Sequence, residues 1–531
     1  MKAALGGAIV ALHALGFAAL AARCHGTELA VEVRAAPASP ALAIEARVPP
    51  ALAGRVAIDD SAAGPGLHRR RWTVRYRGGA ERSVGAAQLV GPFQEPARPR
   101  CVGRVVVGQR LLDDGRAGPG TIASEMQREL AAELGGDAIF GLGELRRIEP
   151  LALRWALLDA HPGDRALVGE APHGYVRAST TLVFERVAVP IVVALVPEPR
   201  PGAFAFRLAT HAGLAFDNRV VQWVSDRLGV ERLATRLARR QLDDALITAL
   251  APPPPLVLSD GQTIRFTYCD EPPEIADGAY GALPFGIALT ADARDPRILP
   301  PALGHGPRPV PAAATALALD LDLDALNALL YELWRGGTLD RQLADAGLER
   351  RFNSDPTVAA LLTLRLAAVR LALPPVVTVA GTGLRLAADA RVALHDGATL
   401  TTGRVWAGLD FRFAGSATPL SVALGELELA CERAAADGLA PTGPRAAPDR
   451  PVTLVPCYGD LVAAMRGRAA EFHAALTEPF ARLVTDLFIG RFGAVGLPAD
   501  LAIRGVVPSV AATTTNATVH LELDGSVASR P

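Results

Sequence analysis

Lysine is almost absent from this chain: Lys2 is the single lysine among 54 lysine and arginine residues. The basic residues are balanced by 55 acidic residues, so the formal net charge is −1. A dedicated nucleic-acid-binding protein carries a surplus of basic charge, and the composition therefore predicts no nucleic-acid partner. Arginine suits phosphate recognition, but GC-rich codon usage is the simpler explanation of a sequence rich in alanine and arginine.

Motifs for catalysis and metal binding are also missing. The sequence contains no Gly-x-Ser-x-Gly, no His-Glu-x-x-His, no phosphate-binding loop and no dinucleotide-binding fingerprint. It has no Cys-x-x-Cys, and its ten histidines lack the spacing of metal ligands. We therefore predict that the protein is not an enzyme and has no catalytic residue, metal site or cofactor. A catalytic triad assembled from distant segments is the alternative.

Long apolar runs are missing after the N-terminal residues. There, Lys2 precedes the apolar run Ala3–Leu20, and small residues at the end of the run provide a cleavage site. These features predict a signal peptide over residues 1–23. Cys24 follows as in a lipoprotein, although Arg23 stands where such signals have a small residue. An uncleaved anchor helix is the alternative. Each interpretation predicts export, to the periplasm or outer membrane or by secretion.

Cysteine is scarce as well, with five in 531 residues. If Cys24 is set aside, four remain, and disulfides are expected in an exported chain. Cys431 ends a predicted strand and Cys457 opens the next predicted helix, so a bridge between them would close a short loop. Cys101 and Cys269 are then the second pair and would join the start of a domain to its end. Buried free thiols are the alternative.

One stretch combines the two periodicities on which the rest of the chain is built. Leucines alternate with alanine and aspartate over Leu317–Leu323, which predicts a half-buried strand. From Leu326 onward, apolar residues recur at the spacing of one helix face. Asp322 or Asp324 is predicted to cap the N-terminus of this helix, and Gly336-Gly337 to end it.

Similar patterns predict the other elements. In the first half they are short strands over residues 24–100, a helix at 121–134, strands between 151 and 216, a long helix at 219–250 and a closing strand at 256–269. In the second half, apolar and charged residues alternate along three strands between Leu384 and Cys431, and a slip at Gly425 predicts a β-bulge. A second long helix is predicted at 459–492, followed by a last strand.

The ordered features of residues 310–531 resemble the C-terminal barrel of the bactericidal/permeability-increasing protein family, which belongs to the tubular lipid-binding superfamily. The resemblance begins with a strand and a helix that carries Asn327, paired leucines, an aromatic residue and then Gly-x-Leu. It continues downstream with Pro374-Pro375, Gly383, Phe492-Gly493 and Gly496-Leu497-Pro498.

The resemblance implies an α+β fold with two tandem elongated barrels. Each barrel is a curved antiparallel sheet wrapped around a long helix, and an extra β-rich segment precedes them. The implied organisation is a signal peptide at 1–23, the N-terminal segment at 24–100, a first barrel at 101–269, a linker contributing to a central sheet at 270–311 and a second barrel at 312–531.

In function, the resemblance implies a lipid-binding protein of the cell envelope. It would hold acyl chains of phospholipid or lipopolysaccharide in apolar barrel pockets, with a membrane surface as a further partner. The predicted lipid-binding residues lie on the two helices of the second barrel: Leu326, Leu330, Leu333, Trp334, Leu461, Met465, Phe472, Leu476, Phe480 and Leu483. The alternative is a non-catalytic envelope scaffold, in which these residues are ordinary core and the barrels are filled.

Six arginines form a basic cluster in the N-terminal segment. They are Arg69, Arg70, Arg71, Arg75, Arg77 and Arg82. In the family that this chain resembles, a basic tip on the first barrel engages anionic lipopolysaccharide. Runs of like charge are more often solvated surface, so we predict that these arginines lie on the solvated outer faces of strands.

Overall fold

The structure is a computed structural model of the 531-residue chain. It describes residues 29–35, 44–47, 56–60, 64–75, 81–94, 101–116, 118–134, 138–139, 143–169, 173–185, 188–200, 203–212, 256–257, 263–268, 271–289, 298–303, 316–345, 347–354, 364–380, 383–397, 399–412, 421–433, 452–458, 501–509 and 518–529. Strands dominate these residues and pair antiparallel in three sheets.

The strands, in chain order, have the following bounds. They are β1 (Val31–Ala35), β2 (Ile44–Arg47), β3 (Val56–Asp60), β4 (Gly66–Arg75), β5 (Glu81–Val90), β6 (Cys101–Gly108), β7 (Ala138–Ile139), β8 (Gly143–Ile148), β9 (Ala152–Ala156), β10 (Tyr175–Phe184), β11 (Ala188–Arg200), β12 (Ala203–Ala212), β13 (Leu256–Val257), β14 (Thr263–Tyr268), β15 (Glu274–Ala276), β16 (Tyr280–Leu289), β17 (Leu317–Asp322), β18 (Leu364–Leu371), β19 (Val376–Ala380), β20 (Gly383–Asp396), β21 (Thr399–Arg412), β22 (Ser421–Glu432), β23 (Val452–Pro456), β24 (Leu501–Ser509) and β25 (Thr518–Ser529).

The helices within the described residues are short. They are α1 (Gln109–Leu112), α2 (Ile122–Leu134), α3 (Arg165–Val168), α4 (Leu323–Arg335), α5 (Thr338–Asp345) and α6 (Leu348–Ser354), with a 3₁₀ turn at Pro162–Asp164 before α3. Thr121 and Ser124 cap α2 reciprocally, because each side-chain hydroxyl accepts the backbone N–H of the other residue at 3.1 Å.

The central sheet joins the two halves of the chain. It has eight strands in the order β13-β14-β16-β6-β17-β25-β24, with β15 beside β16. Strand β6 therefore lies between β16 and β17. Its residues alternate between two faces: Val105 and Val107 enter the main core, whereas Val106 belongs to a small cluster with Ala318 of β17.

The largest sheet unites the N-terminal segment with the second half of the chain. Its eleven strands run β18-β20-β21-β22-β23-β1-β2-β5-β4-β3, with β19 beside β20. The connection is made by β1 and β23, where Val31 pairs with Leu454 and Val33 with Val452. The third sheet has six strands in the order β12-β11-β10-β8-β7, with β9 beside β10. One continuous hydrophobic core includes residues of all three sheets and of α4.

Side chains from the short helices cover one edge of the largest sheet. The Asn327 carboxamide of α4 accepts the Val377 N–H at 2.7 Å and donates to the Val377 carbonyl at 3.0 Å. Asn353 of α6 makes the same two hydrogen bonds with Leu366 of β18. These amide groups replace a neighbouring strand, so this edge is closed to pairing with another chain.

The edge of β9 is closed in the same way. The backbone N–H groups of Leu153 and Trp155, and of Leu151 just before the strand, donate to Asp113, Gln109 and Gln127, at 2.9, 3.1 and 3.0 Å. These three acceptors come from α1, α2 and the residue after α1. Residues of the first helices and of the turn between them thus accept the free backbone N–H groups at this edge, and these hydrogen bonds hold the helices against the third sheet.

The strand and helix predicted around Leu317–Arg335 are confirmed, but the prediction of a half-buried strand is wrong, because both faces of the strand are buried. The period-2 stretch forms β17, and α4 begins directly after it with Asp322 at the N-cap. The helix ends at Arg335; Gly336 is its C-cap, and Gly337 has a φ of +76°, which favours glycine. The predicted β-bulge is also confirmed, because the register between β21 and β22 shifts where Gly425 has no partner.

The predicted fold class is wrong. Two tandem elongated barrels, each wrapped around a long helix, were expected in an α+β fold, but the described chain is mainly β and forms three antiparallel sheets. The longest helices that the structure describes have 13 residues, and neither is surrounded by a sheet. Hydrophobic periodicity assigns side chains to faces but does not show which strands pair. The pairing of β1 with β23 could not be inferred from it.

Several predictions concern residues that the structure does not describe. The signal peptide at 1–23 and the long helices at 219–250 and 459–492 lie outside the described residues. The five-part domain division stays a prediction. No helix within the described ranges has the length and apolar character needed to cross a membrane.

The predicted disulfide between Cys431 and Cys457 is confirmed, and it ties the end of β22 to the residue after β23. Cys101 is also disulfide-bonded. Cys269 lies outside the described residues, so its pairing with Cys101 stays a prediction. The register supports it: Gly286 of β16 is opposite Cys101, and Tyr268, the last residue of β14, is opposite Phe285.

We expect peptide mapping of the unreduced protein to recover a Cys101–Cys269 cross-link beside the Cys431–Cys457 cross-link. Alkylation in denaturant should label none of these four cysteines until reductant is added, because a thiol in a disulfide does not react. Labelling of Cys269 without reductant would show that Cys101 has a different partner.

Candidate functional site

The three strands β20, β21 and β22 form a sheet region with two chemically different faces. In the register, Leu386 pairs with Leu409, Ala388 with Ala407 and Ala390 with Val405. These residues belong to the apolar face, whose members are Leu384, Leu386, Ala388, Ala390, Val405, Ala407, Leu409, Phe411, Leu427 and Leu429. The intervening residues form the charged face, whose members are Arg385, Asp389, Arg391, Arg404, Trp406, Asp410, Glu426, Glu428 and Glu432.

In the middle of β21, over residues 404–409, the charged face is buried more deeply than the apolar face. Arg404 and Trp406 are 9% and 4% exposed. On the other side of the same strand, Val405, Ala407 and Leu409 are only half-buried. Alternation alone predicts the reverse, since the apolar face of a half-buried strand normally points to the core. Something other than water must therefore cover the charged residues.

The N-terminal strands β4 and β5 cover the charged face through ion pairs. Arg69 of β4 lies 3.2 Å from the Glu426 carboxylate and 3.5 Å from that of Glu428. Arg71, two residues further along β4, also pairs with Glu428. Strand β5 approaches closely as well, because a Cβ on Gly85 would lie 3.0 Å from the Glu428 Cβ. We call this set, the charged face with Arg69 and Arg71, the ionic layer.

The ion pairs continue along the sheet beneath β4. Arg385 binds Asp410 with two hydrogen bonds, at 2.7 and 3.2 Å. Arg391 donates to Glu432 at 2.7 Å, and Arg404 donates to Asp389 at 3.0 Å. The pairs Arg385–Asp410 and Arg404–Asp389 join the neighbouring strands β20 and β21 and stabilise their register, whereas Arg391–Glu432 spans from β20 to β22.

Asp389 has an unusual environment within the ionic layer. Burial raises the pKa of its carboxyl to about 6, an effect that the Arg404 guanidinium reduces and the Glu432 carboxylate increases. The pKa of Arg385, in contrast, is raised chiefly by its hydrogen bonds to Asp410. The charge of Arg385 is thus stabilised by hydrogen bonds to an acidic partner, whereas burial and the nearby Glu432 disfavour the charged form of Asp389.

The structure changes the interpretation of the basic cluster. Arg69 is buried, and Asp59 of β3 accepts a hydrogen bond from it at 2.9 Å in addition to the glutamates of β22. The prediction that the cluster is solvated is therefore wrong for Arg69, whereas Arg75 and Arg82 are exposed as predicted. Arg77 lies outside the described residues. The signal that was missed is the matching row of glutamates on β22.

Three alanines lie next to one another in the middle of the apolar face. Ala388 and Ala407 are opposite each other, and Ala390 lies two residues along β20, so the three side chains are adjacent. Larger residues surround them, with Leu386 and Leu409 on one side and Val392 on the other. We call these three residues the alanine floor. They span about 7 Å, two residue steps of a strand, and Ala388 and Ala390 are partly buried against the main hydrophobic core.

The predicted lipid-binding residues that the structure describes lie mainly in the packed core. Leu330, Leu333 and Trp334 are buried, and Leu326 packs against the same cluster with partial exposure. Trp334 also donates its Nε1–H to the Leu371 carbonyl at 3.0 Å. The other six lie outside the described residues: Leu461, Met465, Phe472, Leu476, Phe480 and Leu483. Their role stays a prediction.

No group of three or more potential metal ligands occurs in the part of the chain that the structure describes. Among the described residues, His161 forms a histidine–carboxylate pair, with its Nε2 3.1 Å from Asp277. That carboxylate is already engaged, since it accepts the Leu157 N–H at 3.1 Å and a hydrogen bond from Arg154 at 2.9 Å. Asp277 therefore connects the turn between β15 and β16 to β9 and the residues after it.

Comparison with known proteins adds little to this geometry. Neither a protein-family model nor a curated protein sequence matches the chain. Among solved structures, the chain is similar to one titled as the crystal structure of lipopolysaccharide binding protein, with a TM-score of 0.31 and 11% sequence identity, over 82% of this chain and 100% of that one. A TM-score of 0.31 is too low to show a common fold.

Proposed function

We propose that this chain binds acyl lipid on the apolar face of β20–β22, without catalysis and without a cofactor. The observation that carries the proposal is the inverted burial in the middle of β21, where Arg404 and Trp406 are buried while Val405, Ala407 and Leu409 are half-buried. The ion pairs cover the charged side chains at this point of the sheet. The half-buried apolar side chains opposite them would be stabilised by contact with an apolar partner. The resemblance to the bactericidal/permeability-increasing protein family supports a phospholipid or lipopolysaccharide chain as that partner.

The energetics of such binding need no covalent step. Each buried methylene contributes about 0.8 kcal/mol, so micromolar binding, about 8 kcal/mol, requires about ten buried methylenes. The headgroup would remain near solvent or at a membrane surface. A disulfide at Cys431–Cys457 is compatible with the proposed location outside the cytoplasm.

A scaffold function is the second candidate, and one observation favours it. The face of α4 that was predicted to line a pocket is packed, since Leu330, Leu333 and Trp334 are all at most 6% exposed. If the rest of the second half is equally filled, the protein acts through protein contacts. The apolar face of β20–β22 would then be covered by a protein partner.

Ala407→Leu is expected to separate the two candidates. The added side chain occupies the alanine floor, so lipid retained after detergent-free purification should fall several-fold. The unfolding free energy of delipidated protein should change by less than about 1 kcal/mol, because the residue is only half-buried. Native mass spectrometry and urea unfolding on the same preparation measure both quantities.

Ala152→Leu is the matched control, since Ala152 is exposed on β9 of another sheet. It should leave the lipid content unchanged. In a filled core, Ala407→Leu would overpack the site and cost about 1–3 kcal/mol. Such a loss of stability, with the lipid content equal to that of the wild type, would reject the lipid site and favour the scaffold.

A further inference from the structure

The charged side chains of the ionic layer balance one another. Five acids are matched by five arginines, and each side chain forms at least one ion pair within the layer: Asp389, Asp410, Glu426, Glu428 and Glu432 with Arg69, Arg71, Arg385, Arg391 and Arg404. The layer is therefore formally neutral. An additional charge on this face of the sheet has to find its partner outside the layer.

Two further arginines lie beside the layer, on strand β18. Arg365 and Arg370 are exposed, and neither forms an ion pair with any residue that the structure describes. In the register, Arg370 is directly opposite Arg391, and Arg365 is directly opposite His395. Directly opposite residues project on the same face, and like charges in such positions destabilise a sheet unless an anion lies between them.

The acids nearby do not remove this surplus. Glu432 already accepts hydrogen bonds from Arg391, the residue opposite Arg370. The nearest acid along the chain, Asp396, is in the next row of the register, opposite Leu364. The surplus of positive charge at Arg365 and Arg370 is therefore open to an anionic partner from outside.

These residues lie at a corner of the eleven-stranded sheet. Strand β18 is its terminal strand, and His395 is next to the last residue of β20, where the turn to β21 begins. Across the turn, Leu400 is opposite His395 and is 41% exposed, one of three exposed large apolar side chains among the described residues. We call Arg365, Arg370, His395 and Leu400 the basic corner.

We propose that the basic corner binds the surface of a membrane that contains anionic lipid. The two arginines contact lipid phosphates, and Leu400 enters the headgroup region. Arg365 and Arg370 are separated by about four residue steps along β18, about 13 Å, because one residue between them lies in a bulge. This separation is too large for one phosphate group and suits an array of headgroups. An acidic protein surface would match the arginines but would not use the exposed leucine.

The basic corner does not depend on the proposed acyl-lipid site, because the alanine floor is on the opposite face of the same strands. Each arginine close to an anionic membrane surface strengthens binding by about fivefold. Two arginines therefore give a preference of about thirtyfold for anionic over neutral lipid at low salt. Because both arginines are exposed, salt should screen most of this preference.

Flotation with lipid vesicles tests the basic corner. The wild type should bind vesicles that contain about one third phosphatidylglycerol and should bind pure phosphatidylcholine vesicles much less. Arg365→Gln combined with Arg370→Gln should lower partition into the anionic vesicles by about thirtyfold. Arg365→Lys combined with Arg370→Lys should keep most of the binding, because the positive charge remains. Leu400→Ser should lower it several-fold without a change in charge.

Arg146→Gln combined with Arg147→Gln is the matched control, because these arginines are exposed on β8 of another sheet and the change in net charge is the same. It should leave vesicle binding near the wild-type value. Ala407→Leu should also leave it unchanged, which separates the basic corner from the proposed acyl-lipid site. Urea unfolding of the Arg365→Gln, Arg370→Gln variant should match the wild type, since both side chains are exposed.

Absence of wild-type binding to anionic vesicles would overturn the proposal. So would equal losses in the two glutamine pairs, a loss confined to Ala407→Leu, or binding that persists at about 0.5 M salt. Inorganic phosphate, added at constant ionic strength, should not compete with the vesicles. Competition would show a site for a single phosphate group and reject the membrane surface as the partner.

Discussion

Glu428→Ala is expected to lower the free energy of unfolding by about 3 kcal/mol. The substitution removes the carboxylate that Arg69 and Arg71 share inside the ionic layer. Removing one partner of a buried ion pair costs about 3–5 kcal/mol, because the other charge stays desolvated. The lower value applies here, since Arg69 keeps Glu426 and Asp59.

Urea unfolding with Glu428→Ala, Arg71→Met and the double variant measures this effect. The two single changes should be strongly non-additive, because each removes the same interaction. Added salt should change the loss little, since Glu428 is buried and poorly screened. A loss below about 1 kcal/mol is the range for surface pairs, and would show that water reaches the layer.

Trp334→Ala is expected to cost about 3–5 kcal/mol, the range for removing a large aromatic side chain from a core. The indole is fully buried in the main core, and Tyr331 lies beside it with ring centroids 5.9 Å apart. The change also removes the donor to the Leu371 carbonyl. It therefore leaves a cavity and weakens the anchoring of α4 to β18.

Trp334→Phe separates these two contributions, because it keeps most of the volume and loses the N–H. Its cost should be about 1–2 kcal/mol, the value of one buried hydrogen bond and a small cavity. Urea unfolding and lipid content should be measured on both variants. If Trp334 lined a lipid pocket instead, lipid content would change and the unfolding free energy of delipidated protein would change by less than about 1 kcal/mol.

Local features were predictable from the sequence because they depend on neighbouring residues. The change of period after Leu323, the N-cap at Asp322, the helix end at Gly336-Gly337 and the bulge at Gly425 all follow from residue types and spacing within a few residues. The pairing of Cys431 with Cys457 followed from the short chain between them. Candidate binding residues on α4 were identified as one apolar face, but periodicity is the same for a cavity wall and a packed core.

Long-range pairing was the part that the sequence did not reveal. The six arginines of the N-terminal segment could be solvated, could bind an anionic ligand or could meet acidic residues elsewhere in the chain. Arg69 and Glu428 are far apart in sequence, and nothing in the spacing of either relates it to the other. The alanine floor was visible as small residues on two strands, but its partial exposure depends on what packs over it.

By itself, the sequence determined which residues alternate, where α4 begins and ends, and that apolar and charged faces exist on β20–β22. Only the tertiary structure decided that β1–β5 continue the sheet of the second half, and that Arg404 and Trp406 of the charged face are buried. The physical reason is that periodicity is set by the geometry of one strand or helix. Burial is set by ion pairs and packing between strands, which come together only when the chain folds.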